Sequence, residues 1–215
     1  MPPNKEAFED GETKMKILWL FLVILTTGCS HPSLSDDDFS KEVVRATPIS
    51  SSLFFLEGAG GNMTALIGPG GTFLVDDDFE PMADKILSKL RELGGGAPRF
   101  IVNTHFHYDH TGGNLVFGST ATIIAASAVR ERLMTEQTLW KKQHPAMPLR
   151  AWSSLTFDHA LSLHFNGEDP EIVHFPSAHT DGDTVVFFPH NRAVSMGIFI
   201  SPECIRFSIL STRGV

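Results

Sequence analysis

The sequence predicts an α/β or α+β fold, a mixed sheet with helices on its outside, and three observations carry that expectation. Short apolar runs alternate with glycine clusters, helices of amphipathic spacing interrupt them, and two wholly apolar runs read as buried strands. At 215 residues the chain suffices for one sizeable core and one domain.

The elements follow in order. "SSLFFLEG", "MTALIG" and "TFLVDD" are separated by "AGGN" and "GPGG", turn signals that predict an antiparallel meander. In "EPMADKILSKLREL", Met82, Ile86, Leu90 and Leu93 recur at helical spacing, Pro81 suits a first turn and Gly94-Gly95-Gly96 stops the helix. "RFIVNTH" and "ATIIAA" read as buried strands, and "SAVRERLMTEQTLW" as a second amphipathic helix capped by Ser127. "LSLHFNGE" alternates Leu161, Leu163 and Phe165 up to an Asn166-Gly167 hairpin turn, and "EIVHFPSAHT" and "DTVVFFP" read as two further strands.

The N-terminus stands apart from the fold. "MKILWLFLVILTTGCS", Met15 to Ser30, places a lysine before an apolar run too short for a permanent membrane span but suited to a signal-peptide core. Its Thr27-Gly28-Cys29 ending resembles a bacterial lipobox, with Thr26 where Leu, Val or Ile is usual; this favours acylation of Cys29 as the mature N-terminus. A plain secretory signal or a short membrane anchor is the other reading. Residues 1–28 are thus expected to be an upstream extension and leader, with Met15 as the start, and residues 29–46 a polar tether. The chain is expected at the periplasmic side of a bacterial envelope, touching membrane only through its lipid. Cys29 and Cys204 are the sole cysteines, so no disulfide framework exists. A formal charge of -8 and the lack of any basic run argue against nucleic acid as a partner and leave a small-molecule substrate.

"NTHFHYDHTGGN", residues 103–114, packs three histidines and an aspartate into six positions. It leaves a buried strand and ends where a helix can begin. In an extended or turning backbone, alternate residues point to one side, so His105, His107 and Asp109 are expected to converge while His110 serves a neighbouring position. Imidazoles and a carboxylate suit zinc, or iron or manganese. A catalytic zinc takes three protein ligands and keeps one position open, so a further ligand is needed from elsewhere. His179, in the small-residue turn of "PSAHTDGDTVVFFP", is expected to supply it. His31, His144, His159, His164, His174 and His190 read as ordinary polar turn residues.

"THFHYDHTGG" resembles the HxHxDH signature of the metallo-β-lactamase-fold hydrolases, and "AHTDGDTVVFFP" resembles their next histidine motif. "GGNMTALIGPGGTFLVDDDFEP" is similar to their first hairpins, with an acidic strand end. The resemblance runs from about residue 50 to about 197 and implies an αββα sandwich with a metal pair at the sheet edges. It implies that His105, His107 and His179 bind one metal and Asp109 with His110 the second, one or two zinc ions in all. It further implies that a metal-activated hydroxide, oriented by Asp109 as the catalytic residue, cleaves an ester, thioester, lactone or amide-type bond. His110 speaks against the branch that uses a cysteine ligand. The site looks like those of the thioesterase and lactonase members, or of lactamases with all-histidine second sites.

The pattern breaks after Gly197. The family continues with an Asp that bridges both metals and later a histidine; here Gly197 is followed by "IFISPECIRFSILSTRGV". A base lost in or just after the Gly197 codon accounts for this, because the neighbouring frame permits an Asp and the run of residue types expected next. A shorter member with a divergent tail over 197–215 is the other reading. The second half of the sandwich is therefore expected to be incomplete, within a domain spanning 47–215. Competing functions are a β-lactamase proper and a degenerate, non-catalytic metal-binding protein.

Overall fold

A computed structural model describes residues 38–139 and 141–197. Cys29 and the leader, most of the tether and the tail from Ile198 lie outside the described residues. The tether expectation needs one correction within them. Phe39–Lys41 form a 3-10 turn, Val44 is buried, and the first strand, β1 (Arg45–Pro48), starts inside the stretch read as linker. Phe39 and Val44 are apolar and belong to the core beneath the first helix, while Lys85 of that helix donates to the carbonyls of Phe39, Ser40 and Glu42.

The meander forms as expected. β1, β2 (Leu53–Glu57), β3 (Met63–Gly68) and β4 (Gly71–Val75) pair antiparallel in sequence order. Helix α1 (Ala83–Glu92) then crosses over to β5 (Pro98–Val102), which lies parallel to β4; β6 (Thr122–Ala126) lies parallel to β5. Short helices α2 (Tyr108–Thr111) and α3 (Asn114–Phe117) connect β5 to β6. With β9 (Leu155–Phe157) added parallel to β6, the sheet has seven strands in the order β1-β2-β3-β4-β5-β6-β9.

A second sheet of four antiparallel strands contains β10 (Ala160–Ser162), β11 (Glu171–Phe175), β12 (Asp183–Phe188) and β13 (Ala193–Ser195). Strand alternation divides the first sheet between two cores. Ala65, Leu74 and Ile101 face α1 through Ile86 and Leu90. Leu66, Phe73, Val75 and Val102 face Ile172, Val186 and Phe188 of the second sheet. Phe73 meets Phe188 edge to face at 6.1 Å, and Thr64 donates to Ser195 across the same gap. The sheets thus pack face to face with α1 outside the first, as the sandwich requires. Val173, Val185, Phe187 and Val194 alternate with the inward residues and belong to neither core among the described residues.

Two local expectations are corrected. The second helix, α4, ends at Leu133, and the rest of the predicted stretch enters a hairpin of β7 (Gln137–Leu139) and β8 (Lys142–His144). Ser127 is the first helical residue instead of the cap, and its hydroxyl donates to Asp158 at 2.7 Å. The Asn166-Gly167 turn is present, with φ of 56° and 73° as a two-residue hairpin turn demands, but it closes only the Phe165–Glu168 bridge. Asn166 instead docks on the β3–β4 turn, accepting from Gly70 and donating to Gly71 at 2.8 Å each.

Candidate metal centre

The site lies where the parallel strands β4 and β5 end, the usual place for a ligand in an open α/β sheet. β5 delivers Asn103 to His107; β4 delivers Asp76, Asp77 and Asp78, all fully buried. Asp76 and Asp78 hold φ near +58° and +57°, a region costly for residues other than glycine, and each carboxylate is tied down. Asp76 accepts from the Thr104 backbone and hydroxyl and lies 2.7 Å from His110 Nδ1. Asp78 accepts the backbone N–H groups of Ala59, Gly60 and Phe79 at 2.7–2.9 Å. That clamp lays the Gly58–Asn62 loop on the site, where Gly61 N donates to Asp109 O at 2.9 Å.

The histidines gather as the sequence predicts. Nitrogens of His105, His107 and His179 all lie within 4.8 Å of one another. His107 Nδ1 is 3.1 Å from His179 Nε2, and His105 Nδ1 is 3.2 Å from Thr104 Oγ1. His179 arrives from the second sheet on a turn that Asp183 orders, its carboxylate accepting from Thr180 N and Oγ1. Thr184 N donates to Thr104 O at 2.7 Å, so the two halves are joined beside the site.

Asp109 and His110 face each other beside this cluster, with Oδ2 and Nε2 3.4 Å apart. Alternation does not extend to them. The backbone turns helical at Tyr108, which brings the His110 ring over His105 at a centroid distance of 4.2 Å instead of directing it elsewhere. His174, read as an ordinary residue, spans the carbonyls of Asp158 and Asp181; Asp181 itself pairs with Arg132 of α4.

Charge follows from these contacts. Burial, then the charges of His110, His107 and His179, hold His105 well below the usual imidazole range. Burial and the neighbouring His179 bring His107 down to about 4. Burial also opposes a charge on His110, but the Asp76 and Asp109 carboxylates outweigh it and raise it to about 10. Burial pushes Asp78 up to about 6 and, with Asp76 beside it, Asp77 well above the carboxylate range.

Five buried atoms of the site have no hydrogen-bond partner among the described residues: His105 Nε2, His110 Nε2, Asp109 Oδ1 and both Asp77 carboxylate oxygens. Orphaned buried polar atoms are costly. Two neutral imidazoles with depressed pKa values beside a third are the donor set that zinc takes. The residues therefore fit a metal ion.

Sequence reading missed the anchors of this site. Asp76 and Asp78 were visible only as an acidic strand end, and the signal that singles them out is three aspartates directly after an apolar strand and before a helix.

A two-sheet sandwich with a histidine cluster at the strand ends, His105 and His107 buried and His179 exposed, defines a class of metal-binding α/β proteins. The chain belongs to the metallo-beta-lactamase superfamily, whose model matches residues 46–206. A hydroxyacylglutathione hydrolase of Thermosynechococcus vestitus is 39% identical over 80 residues, 36% of this chain and 31% of that protein. The 2,4-dinitroanisole O-demethylase subunit alpha of Nocardioides sp. is 28% identical over 144 residues, 64% of this chain and 41% of that one. The chain thus spans about a third to two fifths of these relatives. Among solved structures, a class B3 di-zinc metallo-beta-lactamase from an Alaskan soil metagenome superposes with a TM-score of 0.62 at 18% identity, over 74% of this chain and 61% of that one. A subclass B3 enzyme of Bradyrhizobium japonicum gives 0.60 at 18%, over 70% and 59%. These likenesses show the fold.

Proposed function

We propose that the chain is a zinc-dependent hydrolase that cleaves an ester, thioester, lactone or amide-type bond. The observation that carries this is the three-histidine cluster with its buried, unpartnered His105 Nε2, next to the facing pair Asp109 and His110. His105, His107 and His179 would hold one ion, and Asp109 with His110 would hold or flank a second. When bound, zinc polarises a carbonyl and lowers the pKa of a coordinated water from 15.7 toward about 7. Asp109 Oδ1, buried and unpartnered, is the chain's own acceptor for a proton or a water at that point. Asp76 fixes the His110 ring, and Asp183 fixes the turn that carries His179. The curated relative named a hydroxyacylglutathione hydrolase supports the hydrolase class.

The test is elemental analysis of folded protein together with hydrolysis of thioester, lactone and chromogenic cephalosporin substrates, with and without a chelator. Zinc near one per chain and chelator-sensitive turnover support the reading; folded protein that takes up no zinc sinks it. Cephalosporin turnover would mark a β-lactamase proper, and zinc without turnover of any substrate a degenerate binding protein. We place the protein at the periplasmic side of the envelope, anchored through acylated Cys29. Mass spectrometry should find residues 1–28 absent and Cys29 lipidated; an unmodified Cys29 overturns that placement.

A further inference from the structure

Beside the three histidines the chain carries a further concavity, an open cleft between the end of α4 and the β7–β8 hairpin. Phe106, Tyr108, Leu133, Leu139, His144 and Met147 form its walls. The cleft adjoins the metal centre through covalent neighbours and ring contacts. Phe106 and Tyr108 flank His107, the Phe106 ring lies 4.8 Å from the His107 ring, and Tyr108 lies against His144 at 5.9 Å. At the rim, Arg132 pairs with Asp181, two residues beyond His179, so one side of the cleft is tied to the segment that carries the third histidine.

The chemistry of the cleft follows from which groups remain open to a ligand. Arg132 is its one formal cation among the described residues, and its guanidinium is engaged twice, by Asp181 at 2.7 Å and over the Phe106 ring at 5.7 Å. The Gln137 amide donates to the Arg132 and Thr135 carbonyls and to the Thr135 hydroxyl, which itself donates to Glu131 O. The side chains of Arg132, Thr135 and Gln137 are thus engaged with one another and with Asp181, and the surface left for a ligand is mostly aromatic and aliphatic, with the Tyr108 hydroxyl and the His144 ring as its polar points. A pocket of this kind gains its selectivity from apolar burial and disfavours a group that brings an unpaired charge.

We propose that this cleft is the specificity pocket of the site and takes an apolar arm of the substrate, an aromatic ring or branched aliphatic chain, in preference to an anionic one. The inference rests on the hydrolase reading, and its test separates the two. Zinc-loaded protein is assayed with the p-nitrophenyl esters of acetate, 4-phenylbutyrate and monoanionic glutarate. The phenylbutyryl ester should show a KM about tenfold below both others, the scale on which an apolar pocket discriminates. Leu139→Ser, on the hairpin, should raise that KM about tenfold, abolish the preference over the acetyl ester, and be rescued by Leu139→Met. Equal KM values for the three esters, or a Leu139→Ser protein that still prefers the phenylbutyryl ester, overturn the pocket while the hydrolase reading stands. If no ester is cleaved in a chelator-sensitive way, the hydrolase reading falls and the pocket is judged by direct binding. Saturation transfer from the protein to 4-phenylbutan-1-ol, lost in Leu139→Ser, then supports it, and no transfer to the wild-type protein overturns it.

Discussion

Asp76 Oδ2 lies 2.7 Å from His110 Nδ1, with both side chains about 1% exposed. The same carboxylate also accepts from Thr104 N and Oγ1, so one residue after β4 fixes the loop after β5 and the ring at the edge of the site. Breaking a buried charged pair from one side leaves the other group uncompensated, at a cost of about 3–5 kcal/mol. Asp76→Ala should destabilise the fold by that order in urea unfolding, more than any surface aspartate change. A loss under about 1 kcal/mol would show that the pair is not an anchor.

Asp109 and the two aspartates after His179 should separate by role. Asp109→Ala should lower kcat by about a hundredfold or more, the usual scale for a lost acid-base or water-positioning group. Asp181 pairs with half-exposed Arg132, and Asp181→Ala should leave kcat within a few-fold. Asp183→Ala should instead weaken zinc binding, because Asp183 orders the Thr180 turn next to His179. Equal kcat losses in all three, measured at saturating zinc, would contradict these assignments.

The depressed histidines set an acid limit. Neutral imidazole is the metal-binding form, and burial holds His105 well below the ordinary value and His107 at about 4. Unfolded histidines take up protons near pH 6.5, whereas these two stay neutral in the fold. Between about pH 6.5 and 4 the unfolded state binds more protons at these two residues, so their own contribution to stability is lost as pH falls, while the raised His110, Asp77 and Asp78 contribute in the opposite direction. The rise in thermal midpoint on adding zinc should therefore shrink as pH falls from 7 to 5, because protons compete with the metal for the imidazoles. Zinc should survive dialysis at pH 5.5; release already near pH 6.5 would place the ligands elsewhere.

The legible part of this molecule is its local part. Glycine-bounded apolar runs and the spacing of Ile86 and Leu90 reveal the meander and α1, because each signal lies within a few residues of the structure it sets. The histidine motif is equally local, and His179 stands out by its turn. Asp76 is different: its partners lie 28 and 34 positions away, and only the parallel pairing of β4 with β5 brings them together. The end of α4 fails for the opposite reason. Its residues favour helix locally, yet the chain reverses at Lys141, with φ of 66°, and packs the hairpin beside Phe106 and Tyr108. The cleft proposed for substrate choice is built on that reversal, so no periodicity in the sequence announces it.

The glycine loop over the site gives the last prediction. Asp78 holds Ala59 and Gly60 by their N–H groups, and Gly61 is pressed so close to His110 that an added Cβ would lie 2.4 Å from the ring. Neither side can yield cheaply: the ring is fixed by Asp76 and the loop by Asp78 and by the bond from Gly61 N to Asp109 O. Gly61→Ala must therefore displace His110 or lift the loop off Asp109, an overpacking cost of about 1–3 kcal/mol. The three-histidine cluster does not touch Gly61 within that contact, so zinc held by His105, His107 and His179 should remain. The expected outcome is a protein that keeps its first zinc, loses any second, and loses activity together with a few degrees of thermal stability. Zinc titration followed by calorimetry, with elemental analysis after dialysis, distinguishes the two positions. Retention of two zinc ions with unchanged binding would show that the loop plays no part in forming the second position.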